Sequence, residues 1–559
     1  MKSQTTTAIV LAAGKLPEAL QAGFGKTSSA MLPVNGRPTI HWSLHYLSEC
    51  GIRKVIIAVR EGETRIQRFV RHCFGKLLDT QFVEIREDRG PGYSLMTCLE
   101  NLSDAESCLV VLGDTLFSFP ELEDAAWRSS FVMTSSVPDA SRWCLAEVVP
   151  VNLVKRLVDK PSVNPSGCPA LIGVYYLQNT LPAKSALQAK AKGTDGALQL
   201  SDALQPYIDA GELFAFDAKE WYDCGHVDFL SHSRRRLLKA REFNTLELDD
   251  LRGTLTKRSR HTQKFLGEIN YYRLLPADLA SFFPRLLGYS IRPSEAFLKL
   301  EYYGYPTLSE LWVFEEMDGQ FWKGILAQIA RILTCFADYE VELQSSAVFH
   351  LYWTKTQERL DAFARQSPAF DTLVKANLIT LNGVELPGWP VIGSRVRERV
   401  CGMAEHARGT IIHGDLCFPN ILFDPVGRIF KFIDPRGSFG EAGLWGDPRY
   451  DLAKLLHSMD GGYDFLIHDM FSLRQDGMKL DLQQFTPDNR LEVLAHFDAT
   501  FSGAYRLSEI RLIEGLLFLS MCALHSDKPQ RQTAMFAIGL RILNEVLADS
   551  ACSPSNFTT

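Results

Sequence analysis

Long hydrophobic runs are absent from this sequence of 559 residues. The longest strongly apolar stretch, residues 515–524, falls far short of the roughly 20 residues that a membrane-spanning helix needs. The N-terminus also lacks the apolar core and the cleavage site of a secretion signal. We therefore expect a cytoplasmic protein without a membrane span.

Cysteine spacings typical of metal or redox sites are missing as well. None of the 12 cysteines is spaced from another as in C-x-x-C, which favours reduced, mostly buried thiols. His41 and His45 have helical i, i+4 spacing, but no third ligand lies nearby in the sequence. This argues against a metal site at the histidine pair.

An excess of positive charge is missing too. The 59 Lys and Arg residues and 66 Asp and Glu residues give a net charge of −7, so we expect no nucleic-acid partner. The 46% hydrophobic and 22% charged residues are typical of a chain that buries a core. At about 150 residues per domain the length predicts roughly three to four domains, or two if they are large α/β domains of about 250 residues.

Strand and helix patterns alternate through the first 230 residues. Near-continuous apolar runs such as TAIVL at 7–11 and CLVVL at 108–112 are typical of a parallel sheet buried on both faces. The alternation predicts an α/β fold with a doubly wound, mostly parallel, Rossmann-like sheet that binds ligands at the carboxyl ends of its strands. The predicted strands are 7–11, 53–60, 81–86 and 108–112, and the predicted helices are 38–50, 63–74 and 93–102.

The character of the sequence changes between residues 233 and 253. A basic helical stretch, 233–241, passes into the acidic residues 246–250, and we expect a solvated helix face that joins two domains. Beyond residue 253 a short β region leads to a helix at 263–274, and mostly helical patterns continue to about residue 549. We predict one domain over residues 1–240 and a second over 241–559.

Small residues and two aspartates indicate a first site. The run LAAG follows the first strand, and small side chains let backbone N–H groups approach a base or a phosphate. Asp114 follows a buried strand in VVLGD, and Asp223 lies in WYDCG near the end of the same domain. Mg²⁺ prefers oxygen ligands, usually one or two carboxylates with substrate phosphates. The two aspartates would suit a nucleotidyl transfer.

The ordered motifs LAAG, LPVNGRP, GPG, LGD, VDKP, LIGVY and WYDCG resemble those of the sugar-phosphate nucleotidyltransferase family, over roughly residues 5–232. The resemblance implies that Asp114 and Asp223 bind Mg²⁺ and that Asp159 and Lys160 contact the sugar and its phosphate. By the same resemblance Gly173 contacts the substrate. The residues implied for nucleotide binding are Leu11, Ala12, Ala13, Gly14 and Gly92.

The sequence departs from this family at two cationic positions. The family usually has G-x-G-x-R after LAAG and a Pro-Lys pair before L-x-P-V, whereas this sequence has KLPE at 15–18 and the pair Ser28 and Ser29. Such cations offset the charge that develops on the phosphates during attack. Lys15 and Lys26 from the same loop are candidate catalytic replacements, and solvated loop lysines are the alternative.

A second set of motifs lies in the sequences IIHGDLCFPNILF and KFIDPRG, at 411–423 and 431–437. Phosphoryl transfer needs a carboxylate to orient the attacking hydroxyl and oxygen ligands for Mg²⁺, and H-x-D-x-x-x-x-N followed by an aspartate supplies both. The set resembles the aminoglycoside phosphotransferase and choline-kinase-like superfamily over roughly residues 250–550. The resemblance implies a two-lobed α+β kinase-like fold.

The resemblance implies roles for four residues of these motifs. Asp415 would be the catalytic base, Asn420 and Asp434 would bind Mg²⁺, and His413 would brace the loop. By the same resemblance Asp447 and Asp451, in GDPRYDLAKLL, are expected to be structural supports of the C-terminal lobe and not catalytic residues.

The ATP lysine is expected upstream of these motifs. Lys257, in the strand-like run TLTK, is the candidate, with Glu268 on the following helix as its partner and Lys264 as a rival. Residues 297–303, FLKLEYY, resemble the hinge strand that accepts the adenine edge, which places Glu301 beside the nucleotide.

Together the two sites predict a bifunctional, Mg²⁺-dependent enzyme. It would phosphorylate a small sugar, polyol or amino-alcohol with ATP and then transfer a nucleotidyl group to the new phosphate, with CTP mildly preferred. The product would be a building block for a surface or capsular polysaccharide or for a lipid-linked glycan, and the chain could form a homo-oligomer. One alternative is a kinase whose N-terminal domain only binds a nucleotide or holds a dimer, and another is an antibiotic-modifying kinase.

Overall fold

The computed structural model divides the chain into two compact units, Met1–Leu237 and Leu238–Thr559. It describes residues 6–16, 18, 21, 27–103, 106–162, 167–194, 196–225, 233, 244–249, 251–259, 262–292, 295–315, 317–425 and 427–549. The basic stretch 233–241 lies outside these residues apart from Ser233. The acidic residues 246–249 belong to a strand of the second unit, and the domain boundary at 240/241 stays a prediction.

A nine-stranded sheet forms the centre of the first unit. The strands described here are β1 Thr7–Leu11, β2 Pro33–Val34, β3 Arg37–Pro38, β4 Lys54–Arg60, β5 Asp79–Ile85, β6 Cys108–Leu112, β7 Thr115–Ser118, β8 Ser130–Ser135, β9 Cys144–Val149, β10 Leu153–Asp159, β11 Ala170–Leu177, β12 Leu213–Asp217 and β13 Glu220–Asp223. The described α-helices are α1 Thr39–Glu49, α2 Thr64–Phe74, α3 Pro91–Leu99, α4 Leu181–Gly193 and α5 Leu200–Asp209. The sheet has the order β5-β4-β1-β6-β11-β8-β12-β10-β9.

The first half of this sheet is parallel, as the sequence predicted. Strand β1 pairs in parallel with β4 and β6, and β4 pairs in parallel with β5. The apolar residues of β1, β4 and β6 are buried apart from the half-buried Leu112, and helix α3 adds Leu95 and Leu99 to the same core. Because these strands end at one edge, the residues that follow β1 and β6 lie side by side.

The second half of the sheet is mixed, which corrects the expectation of a mostly parallel sheet. Strand β11 is antiparallel to both β6 and β8, and β10 is antiparallel to β9 and β12. Parallel neighbours need a crossover of a dozen or more residues, usually a helix. Between β6 and β11 the described chain contains only strands and single 3₁₀ turns, so these strands pair mainly antiparallel.

The second unit combines a small sheet with many helices. Its described strands are β14 Asn244–Asp249, β15 Thr254–Ser259, β16 Leu286–Ser290, β17 Phe297–Glu301, β18 Val341–Glu342, β19 Leu378–Leu381, β20 Val384–Pro387, β21 Arg408–Ile411, β22 Ile421–Asp424, β23 Ile429–Phe432, β24 Ser438–Phe439, β25 Glu441–Ala442, β26 Trp445–Gly446, β27 Phe471–Asp476 and β28 Lys479–Gln484. Its described α-helices are α6 Thr262–Leu274, α7 Leu308–Phe314, α8 Gly319–Ala337, α9 Ser345–Phe349, α10 Lys355–Ala364, α11 Pro368–Lys375, α12 Trp389–Glu405, α13 Pro448–Met459, α14 Tyr463–Ile467, α15 Arg490–Phe501, α16 Leu507–Met521 and α17 Pro529–Asp549.

An antiparallel sheet, in the order β14-β15-β17-β16, begins the second unit, and α6 follows β15 as predicted. The rest of the unit has more β-structure than the mostly helical pattern predicted. A second four-stranded sheet has the order β20-β19-β28-β27, and β22 and β23 form a hairpin. These strands are only four to six residues long, and short segments of this kind are difficult to distinguish by periodicity.

The apolar run at 515–524 lies inside the second unit. Helix α16 packs along α17, and a Cβ on Gly515 would lie 2.7 Å from Leu543 Cγ and 3.3 Å from the carbonyl oxygen of Gly539. The run is therefore explained by helix packing. Within the described residues, no helix has the length and apolarity that a membrane crossing requires.

Candidate active sites

Asp114 and Asp223 are brought together by two neighbouring strands of the first unit. Asp114 lies between β6 and β7, and β7 pairs antiparallel with β13 so that Thr115 is opposite Asp223. The backbone N–H of Cys224 donates to the carbonyl oxygen of Asp114 at 2.9 Å. This pairing aligns two residues that are more than a hundred positions apart in the sequence.

Gly225 lies against both carboxylates. A Cβ at this position would be 2.6 Å from Asp114 Oδ2 and 3.4 Å from Asp223 Oδ1, and the N–H of Gly225 donates to Asp223 Oδ1 at 3.0 Å. Two carboxylates beside one small residue form a donor set that fits Mg²⁺, which takes one or two carboxylates and completes its shell with water and phosphate. Among the described residues, no three His, Cys, Asp or Glu side chains converge as a metal cluster.

The predicted nucleotide turn adjoins these aspartates. The N–H of Gly113 donates to the carbonyl oxygen of Leu11 at 3.0 Å, which links the end of β1 to the residue before Asp114. Leu11 and Ala12 are buried, Ala13 is half-buried and Gly14 is exposed, so the turn opens toward the surface at its end. The structure thus places the four-residue turn beside Asp114.

The loop after this turn supplies less positive charge than the arginine and the Pro-Lys pair of the family would. Lys15 Nζ lies 2.6 Å from Asp88 Oδ2, and the two side chains are 57% and 70% exposed, so the pair contributes little stability. Ser28 is buried and its hydroxyl donates to the carbonyl oxygen of Ala12 at 2.7 Å, which anchors the turn. Lys26 lies outside the described residues.

Two arginines at the same edge were not indicated by any motif. Arg65 donates from Nη2 to Thr27 Oγ1 at 2.7 Å, next to the anchoring Ser28. Arg60 ends β4, and within the described residues the buried Nε and Nη2 of its guanidinium have no hydrogen-bond partner. Arg60 lies at the carboxyl end of a parallel strand and Arg65 lies in the first turn of the helix that follows, and this position was the available signal.

The predicted sugar-binding residues are connected to the strand of Asp223. Asp159 and Lys160 are exposed at the end of β10, and the N–H of Lys160 donates to the carbonyl oxygen of Trp143 at 2.9 Å. The Trp143 ring packs edge-on against Trp221, with centroids 5.0 Å apart, and Trp221 lies two residues before Asp223 in β13.

Gly173 and Gly92, two of the three predicted glycines, allow close packing. Gly173 has a φ of +83°, and a Cβ there would lie 2.6 Å from Leu112 Cδ1, in the strand that leads to Asp114. Gly92 packs against the backbone of residues 198–199, since its Cβ would lie 2.6 Å from the carbonyl oxygen of Gln199. Ligand contacts of these glycines stay predictions.

In the second unit, Lys257 is held between two carboxylates. Its Nζ lies 2.8 Å from Glu268 Oε1 and 2.9 Å from Asp434 Oδ1, and both Lys257 and Glu268 are 8% exposed. Burial alone would lower the pKa of Lys257, but the charges of Asp434 and Glu268 outweigh it and raise that pKa. The rival Lys264 is exposed, so the geometry favours Lys257 as the buried lysine of this site.

The chain after Asp434 packs tightly on the Glu268 helix. Gly437 has a φ of 64° and lies against the backbone of Gly267, which leaves no room for a side chain. Burial raises the pKa of Glu268 to about 7, while the charge of Lys257 opposes that change. The three-residue ion cluster therefore depends on close backbone contact between α6 and the segment that follows Asp434.

His413 connects the candidate catalytic loop, residues 413–420, to Ile433, the residue before Asp434. Its Nδ1 accepts from the N–H of Asp415 at 3.2 Å, and its Nε2 lies 3.0 Å from the carbonyl oxygen of Ile433. Burial lowers the pKa of His413 to about 4, so the ring is neutral and Nε2 donates to Ile433. The histidine fixes the two acidic segments relative to each other.

Buried side chains hold the backbone of the candidate catalytic loop. Asp451 accepts from the N–H of His413 at 2.6 Å and from the N–H of Gly414 at 2.8 Å, and burial raises its pKa to about 7. Asn420 donates from Nδ2 to the carbonyl oxygen of Asp415 at 2.9 Å, which leaves its Oδ1 as the atom for a metal ion. Asp447 caps α13 and pairs with Arg449, as expected of a structural support.

Lys454 is the side chain of this site that the motifs did not indicate. Its Nζ lies 2.9 Å from Asp415 Oδ1, and it is 8% exposed on α13. Burial would raise the pKa of Asp415, but the charges of Lys454 and Arg436 outweigh it and hold that pKa well below its ordinary value. Asp415 is therefore ionised at neutral pH, as a proton acceptor must be.

Replacing Lys454 by Met should raise the pKa of Asp415, since the nearest opposing charge is lost. We expect the acidic limb of the kcat/KM profile for phosphorylation to move upward by about 1–3 pH units, because only the ionised carboxylate accepts a proton. The measurement is phosphorylation rate against pH, with the exposed Lys323→Met as the matched control. An acidic limb that does not move would contradict the assigned charge pair.

Glu301 lies at the end of β17, where its carboxylate accepts from the Tyr303 hydroxyl at 2.9 Å. Its N–H donates to the carbonyl oxygen of Arg285 at 3.0 Å. These contacts fix the strand that was predicted to meet adenine. The nucleotide contact of Glu301 stays a prediction.

Two family models match separate parts of the chain. Residues 8–131 match the family described as MobA-like NTP transferase domain, and residues 250–476 match the phosphotransferase enzyme family named APH. These matches confirm the predicted fusion of a nucleotidyltransferase-like domain with an aminoglycoside-phosphotransferase-like domain. They also confirm that the chain is an enzyme with both kinase and nucleotidyltransferase parts.

Part of the chain is similar to known nucleotidyltransferases. UTP–glucose-1-phosphate uridylyltransferase of Bacillus subtilis is 24% identical over 266 residues, which are 41% of this chain and 89% of that protein. The bifunctional protein GlmU of Methanococcus maripaludis is 25% identical over 235 residues, 42% of this chain and 54% of that protein. A crystal structure of UDP-glucose pyrophosphorylase complexed with UDP-glucose aligns with a TM-score of 0.37 at 18% identity, over 42% of this chain and 98% of that one.

Proposed function

We propose that this chain, which joins a nucleotidyltransferase domain to a phosphotransferase domain, makes a nucleotide-activated metabolite in two steps. The second unit would phosphorylate a small sugar, polyol or amino-alcohol with ATP, and the first unit would transfer a nucleotidyl group to the new phosphate. The observation that carries the proposal is the buried cluster of Lys257, Glu268 and Asp434, tied through His413 to the ionised Asp415. The product of this kinase is the class of acceptor that the first unit needs.

For the kinase step, Asp415 would accept the proton of the attacking hydroxyl, while Lys257 would hold ATP phosphates. Asn420 Oδ1 and Asp434 would hold Mg²⁺, which neutralises charge on the phosphates. Glu268 would keep Lys257 in place, because both oxygens of the Glu268 carboxylate accept from the Lys257 ammonium. Lys454 keeps Asp415 ionised.

For the nucleotidyl step, an oxygen of the phosphorylated acceptor would attack the α-phosphorus of the NTP, and pyrophosphate would leave. Asp114 and Asp223 would hold Mg²⁺, which offsets the negative charge of the two phosphates. The LAAG turn would receive the nucleotide, and Asp159 and Lys160 would contact the acceptor. Positive charge from Lys15, Lys26 or the missed arginines would support the transferred phosphate.

CTP is our mild preference among the nucleotides, by analogy with choline and polyol activation. The proposed product is an activated building block for capsular or other surface polysaccharide, made in the cytoplasm. The names of the uridylyltransferase and thymidylyltransferase relatives support a sugar phosphate as the acceptor of the first unit.

The proposal is tested with the purified protein, ATP, CTP, UTP, dTTP and Mg²⁺ against pooled sugars, polyols and amino-alcohols. Mass spectrometry should show a phosphorylated acceptor, its nucleoside-diphosphate derivative and pyrophosphate.

The second candidate function is that of a kinase whose first unit is inactive. Two observations favour it, because Lys15 is paired with Asp88 and the uncharged Ser28 stands where the family has a cationic pair. A phosphorylated acceptor without pyrophosphate, for every nucleotide and acceptor in the panel, would support this second candidate.

A further inference from the structure

Arg60 and Asp114 lie on opposite sides of the nucleotide turn of the first unit. Leu11, at the end of β1, pairs with Ala58 of β4 on one side and with Leu112 of β6 on the other. Arg60 and Asp114 each follow two residues later, so they lie at the same level of the sheet edge. Two strand spacings place their backbones about 10 Å apart. A nucleotide that lies over the turn would therefore extend from one to the other.

The guanidinium of Arg60 has donors that the described protein does not satisfy. Arg60 is half-buried, and its Nε and Nη2 are buried without a hydrogen-bond partner among the described residues. The carboxylates that follow β4 and β5 face other cations, in the pairs Glu61–Arg86, Glu87–Arg89 and Asp88–Lys15. Because unmet buried donors cost free energy, acceptor atoms of a bound ligand would stabilise this side chain.

The side of the sheet on which Arg60 lies has small and aromatic residues. Arg60 pairs in register with Ile85 of β5, and Ile85 belongs to the apolar core that also contains Ala58. The turn residue Ala13 and Tyr93 of α3 pack against the same core. Small and aromatic surfaces suit the flat face of a base. With the phosphates held by a metal ion at the Asp114 end, this is also the end of the turn that the base would reach.

An arginine side chain can only donate hydrogen bonds, and this restricts the bases that it can pair with. Its planar fork matches two adjacent acceptor atoms, as in its pairing with O6 and N7 of guanine. Cytosine has the same pattern in O2 and N3. In uracil and thymine N3 carries a proton, and in adenine N1 and N7 flank an amino group. The fork therefore favours cytosine or guanine.

We propose that Arg60 is a specificity-determining residue of the first unit and donates to two adjacent acceptors on the base of the bound nucleoside triphosphate, cytosine or guanine. The inference rests on the proposed nucleotidyl transfer and names its nucleotide class. Because no partner in the described protein holds the guanidinium, its fork can turn toward the base. Lys15, Lys26 and Arg65 would remain as the cations for the transferred phosphate.

CTP and UTP give the sharpest comparison, because they share the ribose and the triphosphate and differ only along the edge of the base. CTP, GTP and UTP are titrated by calorimetry into the full-length protein with Mg²⁺ and a saturating non-hydrolysable ATP analogue that occupies the kinase unit. CTP or GTP should bind about tenfold or more tightly than UTP. The titrations with CTP and GTP separate a cytosine site from a guanine site.

Arg60→Met should remove this preference, because the three nucleotides then meet the same apolar side chain. Arg60→Lys should lose most of the preference although it keeps the charge, since an ammonium group is not a planar fork. The exposed Arg68→Met is the matched control and should keep the preference.

Equal binding of the three nucleotides to the unmodified protein, tighter binding of UTP, or no binding would overturn the proposal. So would a preference that survives in Arg60→Met, or an equal loss of affinity for all three nucleotides in that variant, which would place Arg60 at the phosphates. Binding is measured without an acceptor, so these outcomes differ from a failure of nucleotidyl transfer, in which no pyrophosphate would appear in the metabolite screen.

Discussion

Asp415→Ala should reduce ATP-dependent phosphorylation by about 10²–10⁴-fold, the range that a positioned general base contributes. The carboxylate is ionised because Lys454 and Arg436 stabilise its charge, and its position is fixed by His413 through the Asp415 N–H. Asp415→Asn keeps the shape and one acceptor oxygen, but its amide cannot take the proton, so it should lose a similar factor. ADP release in the presence of the acceptor is the measurement.

The control for Asp415→Ala is the other activity of the same sample. Pyrophosphate release from an acceptor phosphorylated beforehand should match that of the unmodified protein, because the first unit contains its own carboxylates. Phosphorylation that persists at more than a tenth of the original rate would show that another group accepts the proton.

Asp114→Ala should have the opposite effect on the two activities from Asp415→Ala. Nucleotidyl transfer should fall by about 10²-fold or more, since a bound metal ion contributes several kcal/mol of transition-state stabilisation. Phosphorylation by the second unit should not change. Pyrophosphate release is measured with a chemically phosphorylated acceptor, so that the result does not depend on the kinase.

Gly225→Ala tests the same site without removing a ligand. The added Cβ would meet Asp114 Oδ2 and crowd Asp223 Oδ1, so the carboxylates must move apart and the Mg²⁺ requirement of nucleotidyl transfer should rise. Gly193→Ala, at the end of α4, is the matched control because a Cβ there meets no atom within 4 Å. Equal Mg²⁺ dependence in the two variants would contradict a metal site between the aspartates.

The parts of the fold that could be predicted are those set by local sequence. The runs TAIVL and CLVVL specify β1 and β6 because continuous apolar residues suit a strand buried on both faces. The antiparallel half of the sheet could not be predicted, since it depends on which strands lack a helical crossover between them. The small sheets of the second unit were missed because each of their strands is only a few residues long.

The same distinction applies to the candidate sites. Sequence motifs indicated Lys257 and Glu268. The burial of Lys257 in the structure then distinguishes it from its rival Lys264, which is exposed. Lys454 could not be found from spacing, because its contact with Asp415 depends on how α13 packs beneath the catalytic loop.

The central claim is that one phosphorus atom passes from ATP to the acceptor and then becomes part of the activated product. It is tested most directly with ATP labelled with ¹⁸O in the γ-phosphoryl group, unlabelled CTP and the acceptor, followed by mass spectrometry and ³¹P NMR. The label should appear on the phosphoryl group that joins the acceptor to the nucleotide, and the pyrophosphate should be unlabelled. Label found only in free phosphate, or only in a phosphorylated acceptor that never receives a nucleotide, would contradict the two-step account.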